Sequence, residues 1–257
     1  EKPFSPFKAV EKGRGGTLTP RQQLSLDDLI SRFTARTQRS KEMTEKYRSV
    51  LADPRAAAGF RLQWKELIYP IIVERSSGSK LWDVDGNEYV DMLNGFGVTL
   101  FGHTPDFVNN AVAEQLQRGY EIGPMSDLAG EVASLICELT GNERVTFCNT
   151  GSEAVQGALR LARTVTGRNL VATFAGDYHG GFDEVLVRSN NSDGFIRTAP
   201  GAPGIPQESV DNILVLDYGK PESLQVLRDH AHELAAVLVE PVQSRHPNPR
   251  PVELLKE

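Results

Sequence analysis

The 257-residue sequence has only two cysteines, Cys137 and Cys148, and neither belongs to a CxxC pair. So few thiols favour free cysteines over a disulfide framework or a metal site. Both lie in or beside apolar stretches. We therefore expect buried, reduced thiols and a cytoplasmic protein.

The sequence also lacks any apolar run near the roughly 20 residues that a membrane-spanning helix needs, and residues 1–6 do not resemble a secretory signal. There is no surplus of basic residues, since the formal net charge is -6. We therefore expect neither nucleic acid nor a membrane as a partner. With 39% hydrophobic and 24% charged residues, the composition is that of a folded globular protein.

The pattern divides the sequence into three segments. Residues 1–60 predict a linker and a basic helical arm, in which Thr19-Pro20 is a typical helix start. Residues 61–125 predict a small-domain segment with a β-hairpin, and residues 126–257 the first part of an α/β domain. The arm carries a basic cluster, which is either a solvated helix face or a docking face for an acidic partner. The cluster consists of Arg32, Arg36, Arg39, Lys41, Lys46 and Arg48.

The middle segment contains a strong hairpin signal, Asp85-Gly86-Asn87, between β-prone runs. A glycine-rich loop follows at residues 94–103, where the backbone passes close to a ligand or another chain. Ser126 is the expected N-cap of a later helix, and Gly141 lies just past its end. Strands are predicted at residues 68–73, 80–84 and 88–93, and helices at residues 105–117 and 126–140.

After residue 144, apolar runs alternate with helical periodicity, which is typical of βαβ units and of a mixed or parallel sheet. The predicted fold class is therefore α/β. Strands are predicted at residues 145–148, 170–174, 213–216 and 236–239, and helices at residues 152–165 and 221–233.

The most informative local feature is the run of residues 149–153, Asn-Thr-Gly-Ser-Glu, at a predicted helix start. Free backbone N–H groups, the positive end of the helix dipole, two hydroxyls and a glycine are typical of a phosphate-binding cup. A plain helix cap by Thr150 or Ser152 is the alternative interpretation.

Two further motifs follow predicted strands. Tyr178 and His179 belong to Asp-Tyr-His-Gly-Gly at residues 177–181, and Glu240 and Gln243 to Val-Glu-Pro-Val-Gln at residues 239–243. Because ligands bind at the carboxyl ends of strands in open α/β sheets, we expect both motifs beside the cup. The alternatives are an ordinary loop and a polar strand end.

These motifs, together with residues 81–91 and Gly102-His103, resemble the class III pyridoxal-phosphate aminotransferases. That group includes ornithine and ω-amino-acid transaminases and glutamate-1-semialdehyde aminomutase. The resemblance covers residues 64–257. It implies the fold type I of pyridoxal-phosphate-dependent transferases, here its N-terminal part with an incomplete large-domain sheet behind a helical arm, and pyridoxal 5'-phosphate as cofactor.

The same resemblance implies the roles of seven residues. The cofactor phosphate is bound by Thr150, Gly151 and Ser152. Tyr178 stacks on the pyridine ring, and His179 lies beside it. Glu240, a catalytic candidate, and Gln243 lie near the reactive edge of the ring.

The implied reaction transfers an amino group from an amino donor to a keto substrate, in a homodimer whose loop 94–102 contributes to a shared site. The N-terminal arm and the sequences of residues 64–69 and 245–251 resemble the aminotransferase domains of hybrid polyketide and nonribosomal peptide synthetases. There the substrate is a β-keto acyl chain on an acyl carrier domain.

Two residues of the family pattern are missing, a lysine that forms a Schiff base with the cofactor and an aspartate that pairs with the pyridinium nitrogen. After Gln243 the only lysine is Lys256, in the wrong context, and no aspartate follows. We therefore expect a truncated chain that is inactive by itself. A noncatalytic or degenerate module for assembly or docking in a megasynthase, or an aminomutase, are the alternatives.

Other enzyme classes fit less well. The sequence has no GxGxxG or GxxxxGK[ST] nucleotide motif and no GxSxG hydrolase motif. His230 and His232 are two positions apart on a predicted helix and point away from each other, so no metal site is predicted.

Overall fold

The computed structural model describes residues 18–53, 62–120, 123, 125–190, 198–244 and 247. These residues fall into two compact units, and the division lies between Ser126 and Asp127 in the sequence. The predicted linker up to residue 17 and the C-terminal stretch with Lys256 lie outside the described residues.

The first unit joins the helical arm to a small antiparallel sheet of order β1-β2-β3. The first helix begins where the sequence predicts, because the Thr19 hydroxyl accepts the amide of Gln22 and Pro20 occupies the first turn. The elements are α1 (Pro20–Arg36), α2 (Gln38–Tyr47), β1 (Val73–Ser77), β2 (Lys80–Asp83), β3 (Glu88–Val90) and α3 (Asp106–Arg118).

The predicted hairpin turn is built around the buried carboxylate of Asp83. This carboxylate accepts the amide of Asp85 at 3.0 Å, the amide and side chain of Asn87 at 2.7 and 2.9 Å, and the Tyr89 hydroxyl at 2.7 Å. Burial opposes the charge and is the largest single influence on the Asp83 pKa, but the hydrogen bonds together hold that pKa below its ordinary value.

The next carboxylate, Asp85, caps helix α2 from the hairpin. The N-cap residue Thr37 makes no side-chain capping bond. Instead, Asp85 accepts the amides of Arg39 at 2.7 Å and of Ser40 at 3.1 Å, and also the Ser40 hydroxyl at 3.1 Å. A carboxylate at a helix N-terminus satisfies free amides and complements the helix dipole, so the turn fixes the arm.

The basic cluster of the arm is largely used inside this unit. Lys41 forms an ion pair with Glu66 at 2.8 Å, and the Arg39 guanidinium donates to the carbonyl of Val84. Arg36 lies over the Tyr89 ring, 5.9 Å from its centroid. These contacts favour a structural role over a free docking face.

The second unit is a three-layer α/β structure, which confirms the predicted class. Its central sheet has the order β7-β4-β8 with both pairings parallel, and a separate antiparallel pair, β5-β6, lies against β7. The elements are α4 (Leu128–Thr140), α5 (Gly151–Thr166), β4 (Leu170–Phe174), β5 (Val187–Ser189), β6 (Thr198–Pro200), β7 (Ile213–Leu216), α6 (Pro221–Asp229) and β8 (Leu234–Val237).

The core of this unit follows the alternation of side chains along β4. Val171 packs with Leu159 of α5, and Phe174 packs in a second cluster with Val226 of α6. The two helices therefore cover opposite faces of the sheet. This explains why all residues from Val171 to Phe174 are buried.

Several sequence-based boundaries are wrong. No strand forms at residues 145–148, for which the described residues supply no pairing strand. The expectation of buried thiols is also wrong, since Cys148 is exposed and Cys137 is half-buried. The predicted strand 68–73 gives way to β1, which begins only at Val73. Strand β8 lies two residues before its predicted position. Asp127, not Ser126, is the N-cap of α4.

Other features of the second unit agree with the sequence-based expectations, and two strands lie outside those expectations. Strands β4 and β7 have the predicted bounds, and Gly141 ends α4 in the left-handed conformation. Strands β5 and β6 were not predicted. Within the described ranges, no helix is both long and apolar enough to cross a bilayer.

We predict that Asp85→Ala lowers the free energy of unfolding by about 1–2 kcal/mol, because the first amides of α2 lose their acceptor. The measurement is urea denaturation. Asp28→Ala is the control, since it also removes one carboxylate but breaks only an exposed ion pair with Arg32. Equal stability of the two variants would contradict the capping role.

Candidate active site

Helix α5 begins with a complete capping box. The Thr150 hydroxyl accepts the amide of Glu153 at 3.2 Å, and the Glu153 carboxylate accepts the amides of Asn149 at 2.8 Å and Thr150 at 3.0 Å. The helix-cap interpretation of Thr150 is therefore confirmed.

The cap leaves two donors of the first turn facing outward. The first backbone bond of the helix runs from the amide of Ala154 to the carbonyl of Thr150, so the amides of Gly151 and Ser152 have no acceptor within the helix. A Cβ placed on Gly151 would meet no atom within 4 Å. The chemistry of this donor set, two amides and two hydroxyls at an open helix N-terminus, fits a phosphate group.

The second motif packs directly on this helix start. The amide of Gly181 donates to the Ser152 hydroxyl oxygen at 3.0 Å. A Cβ on Gly180 would lie 2.7 Å from that oxygen, and the φ of Gly180 is +122°. Only glycine fits this close approach, which explains the glycine at position 180.

Tyr178 and His179 stand next to this contact in opposite environments. The Tyr178 side chain is 53% exposed, whereas the His179 side chain is only 7% exposed. The His179 Nε2 lies 3.2 Å from the Asp177 carboxylate but is not aligned for a hydrogen bond, and it has no other partner among the described residues. His179 is therefore enclosed, whereas the neighbouring Tyr178 remains half exposed.

The third motif, at residues 239–243, forms hydrogen bonds with the same loop. Glu240 accepts the amide of Tyr178 at 3.0 Å, and the buried side chain of Gln243 donates to the Ala175 carbonyl at 2.9 Å and to Asp177 at 2.6 Å. The structure thus brings all seven nominated residues to one end of the sheet. A place for Glu240 and Gln243 at the reactive edge of a cofactor stays a prediction.

Asp177 lies at the centre of these contacts, although it is not among the predicted site residues. Its side chain is 1% exposed. The available signal was a carboxylate only three residues after the fully buried end of β4, inside a motif already singled out.

Comparison with known proteins gives the family. Residues 63–246 match the sequence model of the family Aminotransferase class-III. The chain belongs to the class III aminotransferases. Enzymes of this family depend on pyridoxal 5'-phosphate, and the predicted cofactor class is thereby confirmed.

Curated relatives include aminomutases. Glutamate-1-semialdehyde 2,1-aminomutase of Deinococcus radiodurans is 41% identical over 180 residues, covering 67% of this chain and 40% of the relative. The enzyme of the same name from Aquifex aeolicus is 37% identical, covering 67% of this chain and 41% of the relative. The chain thus spans about two fifths of the length of these relatives.

Solved structures share the fold. The β-phenylalanine aminotransferase from Variovorax paradoxus matches with a TM-score of 0.72 at 28% identity, over 91% of this chain and 51% of that chain. A transaminase with PLP bound matches with a TM-score of 0.71 at 32% identity, over 81% and 48%. The predicted fold type of pyridoxal-phosphate-dependent transferases is therefore confirmed.

We predict that Gly180→Ala destabilises the second unit by about 1–3 kcal/mol, because the new methyl group overlaps Ser152 and the backbone is strained at positive φ. Thermal unfolding measures the effect. Gly181→Ala is the matched control, since its Cβ meets no atom within 4 Å and its amide remains. Equal melting temperatures for the two variants would disprove the close packing.

Proposed function

We propose that the protein carrying this chain is a pyridoxal 5'-phosphate enzyme that transfers an amino group to a keto substrate. The observation that carries this proposal is the convergence of three separate motifs. Ser152 accepts the Gly181 amide, and Glu240 accepts the Tyr178 amide, so one hydrogen-bonded assembly surrounds the start of α5. Because the chain spans two fifths of its relatives, the activity is proposed for the whole protein.

The phosphate of the cofactor would bind at the cup. The amides of Gly151 and Ser152 and the hydroxyls of Thr150 and Ser152 would donate to its oxygens, and the helix dipole favours the negative charge. The Ser152 oxygen already accepts the Gly181 amide, but a hydroxyl can accept and donate at once.

The pyridine ring would stack on Tyr178. The phenol ring is half exposed, while its backbone is fixed by Glu240 and its neighbour His179 is buried. A rigid aromatic platform with one open face is what stacking on a flat heterocycle requires. The bound cofactor supplies an electron sink for carbanion chemistry, and these residues hold and orient it.

Two candidate reactions fit the family. The sequence resemblance of the arm and of residues 64–69 supports a β-keto acyl chain on a carrier domain, in a polyketide and peptide synthetase. The relatives at 41% and 37% identity are named aminomutases, which supports isomerisation within one substrate as the second candidate. The remaining alternative is a noncatalytic or degenerate module for assembly or docking in a megasynthase.

We also propose a homodimer. Several large apolar side chains between residues 92 and 120 are strongly exposed, among them Phe96 at 90% and Phe101 at 74%. Clustered exposed apolar side chains are typical of an interface, and class III aminotransferases are commonly homodimers.

The first test uses the protein expressed from its complete reading frame. We expect visible absorbance from bound pyridoxal 5'-phosphate, which changes when an amine donor is added and yields one keto product per donor consumed. Isomerisation without consumption of donor would establish the aminomutase alternative. Absence of a cofactor band would leave the docking module.

A second test targets the ring platform. Tyr178→Ala should weaken binding of pyridoxal 5'-phosphate by about fivefold, the loss of a stacking contact of about 1 kcal/mol. Tyr178→Phe keeps the ring and should bind as the wild type does. A fluorescence titration measures both, and unchanged affinity of Tyr178→Ala would remove Tyr178 from the site.

A further inference from the structure

A buried carboxylate, Asp177, joins two loops at the carboxyl end of the sheet. Its Oδ1 accepts the side-chain amide of Gln243 at 2.6 Å, and its Oδ2 accepts the backbone amide of Glu240 at 3.0 Å. The side chain is 1% exposed. A carboxylate at such burial is costly unless donors surround it, so these bonds are needed for the fold of both loops.

The contacts between the two loops are reciprocal. Asp177, from the loop after β4, holds the backbone of Glu240. Glu240, from the loop after β8, holds the backbone of Tyr178 at 3.0 Å and of Ser244 at 3.4 Å. Each loop thus uses a side chain to fix the main chain of the other.

The crossed bonds act on the residue between them. Tyr178 follows Asp177 directly, and its own amide is held by Glu240. Gln243 adds a bond to the carbonyl of Ala175 on the other side of Asp177. The backbone at Tyr178 is therefore immobilised from both sides, although its ring remains half exposed.

We propose that Asp177 is a positioning residue, which fixes the orientation of the Tyr178 ring toward the cofactor by clamping the loops after β4 and β8 together. This inference rests on the proposed function for its reference to the cofactor. Asp177 acts through Gln243 and the amide of Glu240, and it does not contribute to the phosphate cup at residues 150–152.

The first measurement is amide hydrogen exchange, without ligand, in the protein expressed from its complete reading frame. In Asp177→Asn, one acceptor oxygen becomes an NH₂ group that faces a donor, either Gln243 or the Glu240 amide, so one bond is lost. We expect the Tyr178 amide to exchange about tenfold faster, as for one lost charge-assisted hydrogen bond. Asp183→Asn, an exposed carboxylate of the same loop, is the control and should leave the rate unchanged.

The second measurement separates ring orientation from general loosening. Wild type and both variants are titrated with pyridoxal 5'-phosphate and with inorganic phosphate, and the induced circular dichroism of the bound cofactor is recorded. For Asp177→Asn we expect an altered dichroism band, unchanged phosphate affinity, and cofactor binding weakened by at most about fivefold, the loss expected when the Tyr178 ring itself is removed. An equal loss of both affinities, or no change in exchange and dichroism, would overturn the proposal.

The two proposals fail in different ways. If the wild-type protein expressed from its complete reading frame does not bind pyridoxal 5'-phosphate, the proposed function is wrong. Hydrogen exchange of the Tyr178 amide then tests, independently of the cofactor, whether Asp177 holds the two loops together. Faster exchange in Asp177→Asn supports this role, and an unchanged rate overturns it. If Asp177→Asn does not fold, Gln243→Met replaces it; this variant removes the side-chain bonds to both Asp177 and Ala175 and is judged by the same exchange outcomes.

Discussion

The site depends on the burial of strand β4 between two parallel neighbours. Its residues from Val171 to Phe174 are buried, and it pairs with β7 on one side and β8 on the other. Parallel pairing puts the carboxyl ends of β4 and β8 at one edge, so the loops that follow them must emerge side by side. The connection from α5 into β4 brings the start of that helix to the same edge, where Ser152 meets Gly181.

The sequence could predict elements whose signals are local. Thr19-Pro20 starts α1, the Asp85-Gly86-Asn87 turn joins β2 to β3, and the apolar run of β4 is a strand. It could not predict the outcome at residues 145–148, because an apolar run shows a tendency to pair but not whether a partner lies beside it. The capping of α2 by Asp85 joins positions 46 residues apart, and no local pattern contains it.

The residues of the candidate site could be predicted because their motifs are local, but the hydrogen bonds between them could not. Motifs gave residue types at the carboxyl ends of strands, and topology brought them together. Which atom of Glu240 or Gln243 faces which neighbour depends on loop geometry, and there the side chains turned toward the backbone of the opposite loop. Asp177 was invisible in the pattern because its importance comes from burial, at 1% exposure, and from its position between the loops.

The helix start of α5 shows that the two interpretations of the Asn-Thr-Gly-Ser-Glu motif are compatible. A helix presents several unpaired amides in its first turn, and a cap and a bound anion both use them. Here the Glu153 carboxylate turns back to Asn149 and Thr150, and the Thr150 hydroxyl takes the Glu153 amide. The amides of Gly151 and Ser152 lie between these bonds and remain for a ligand. The cap therefore orders this turn in the absence of a ligand, so a phosphate bound at the proposed site would not have to order it.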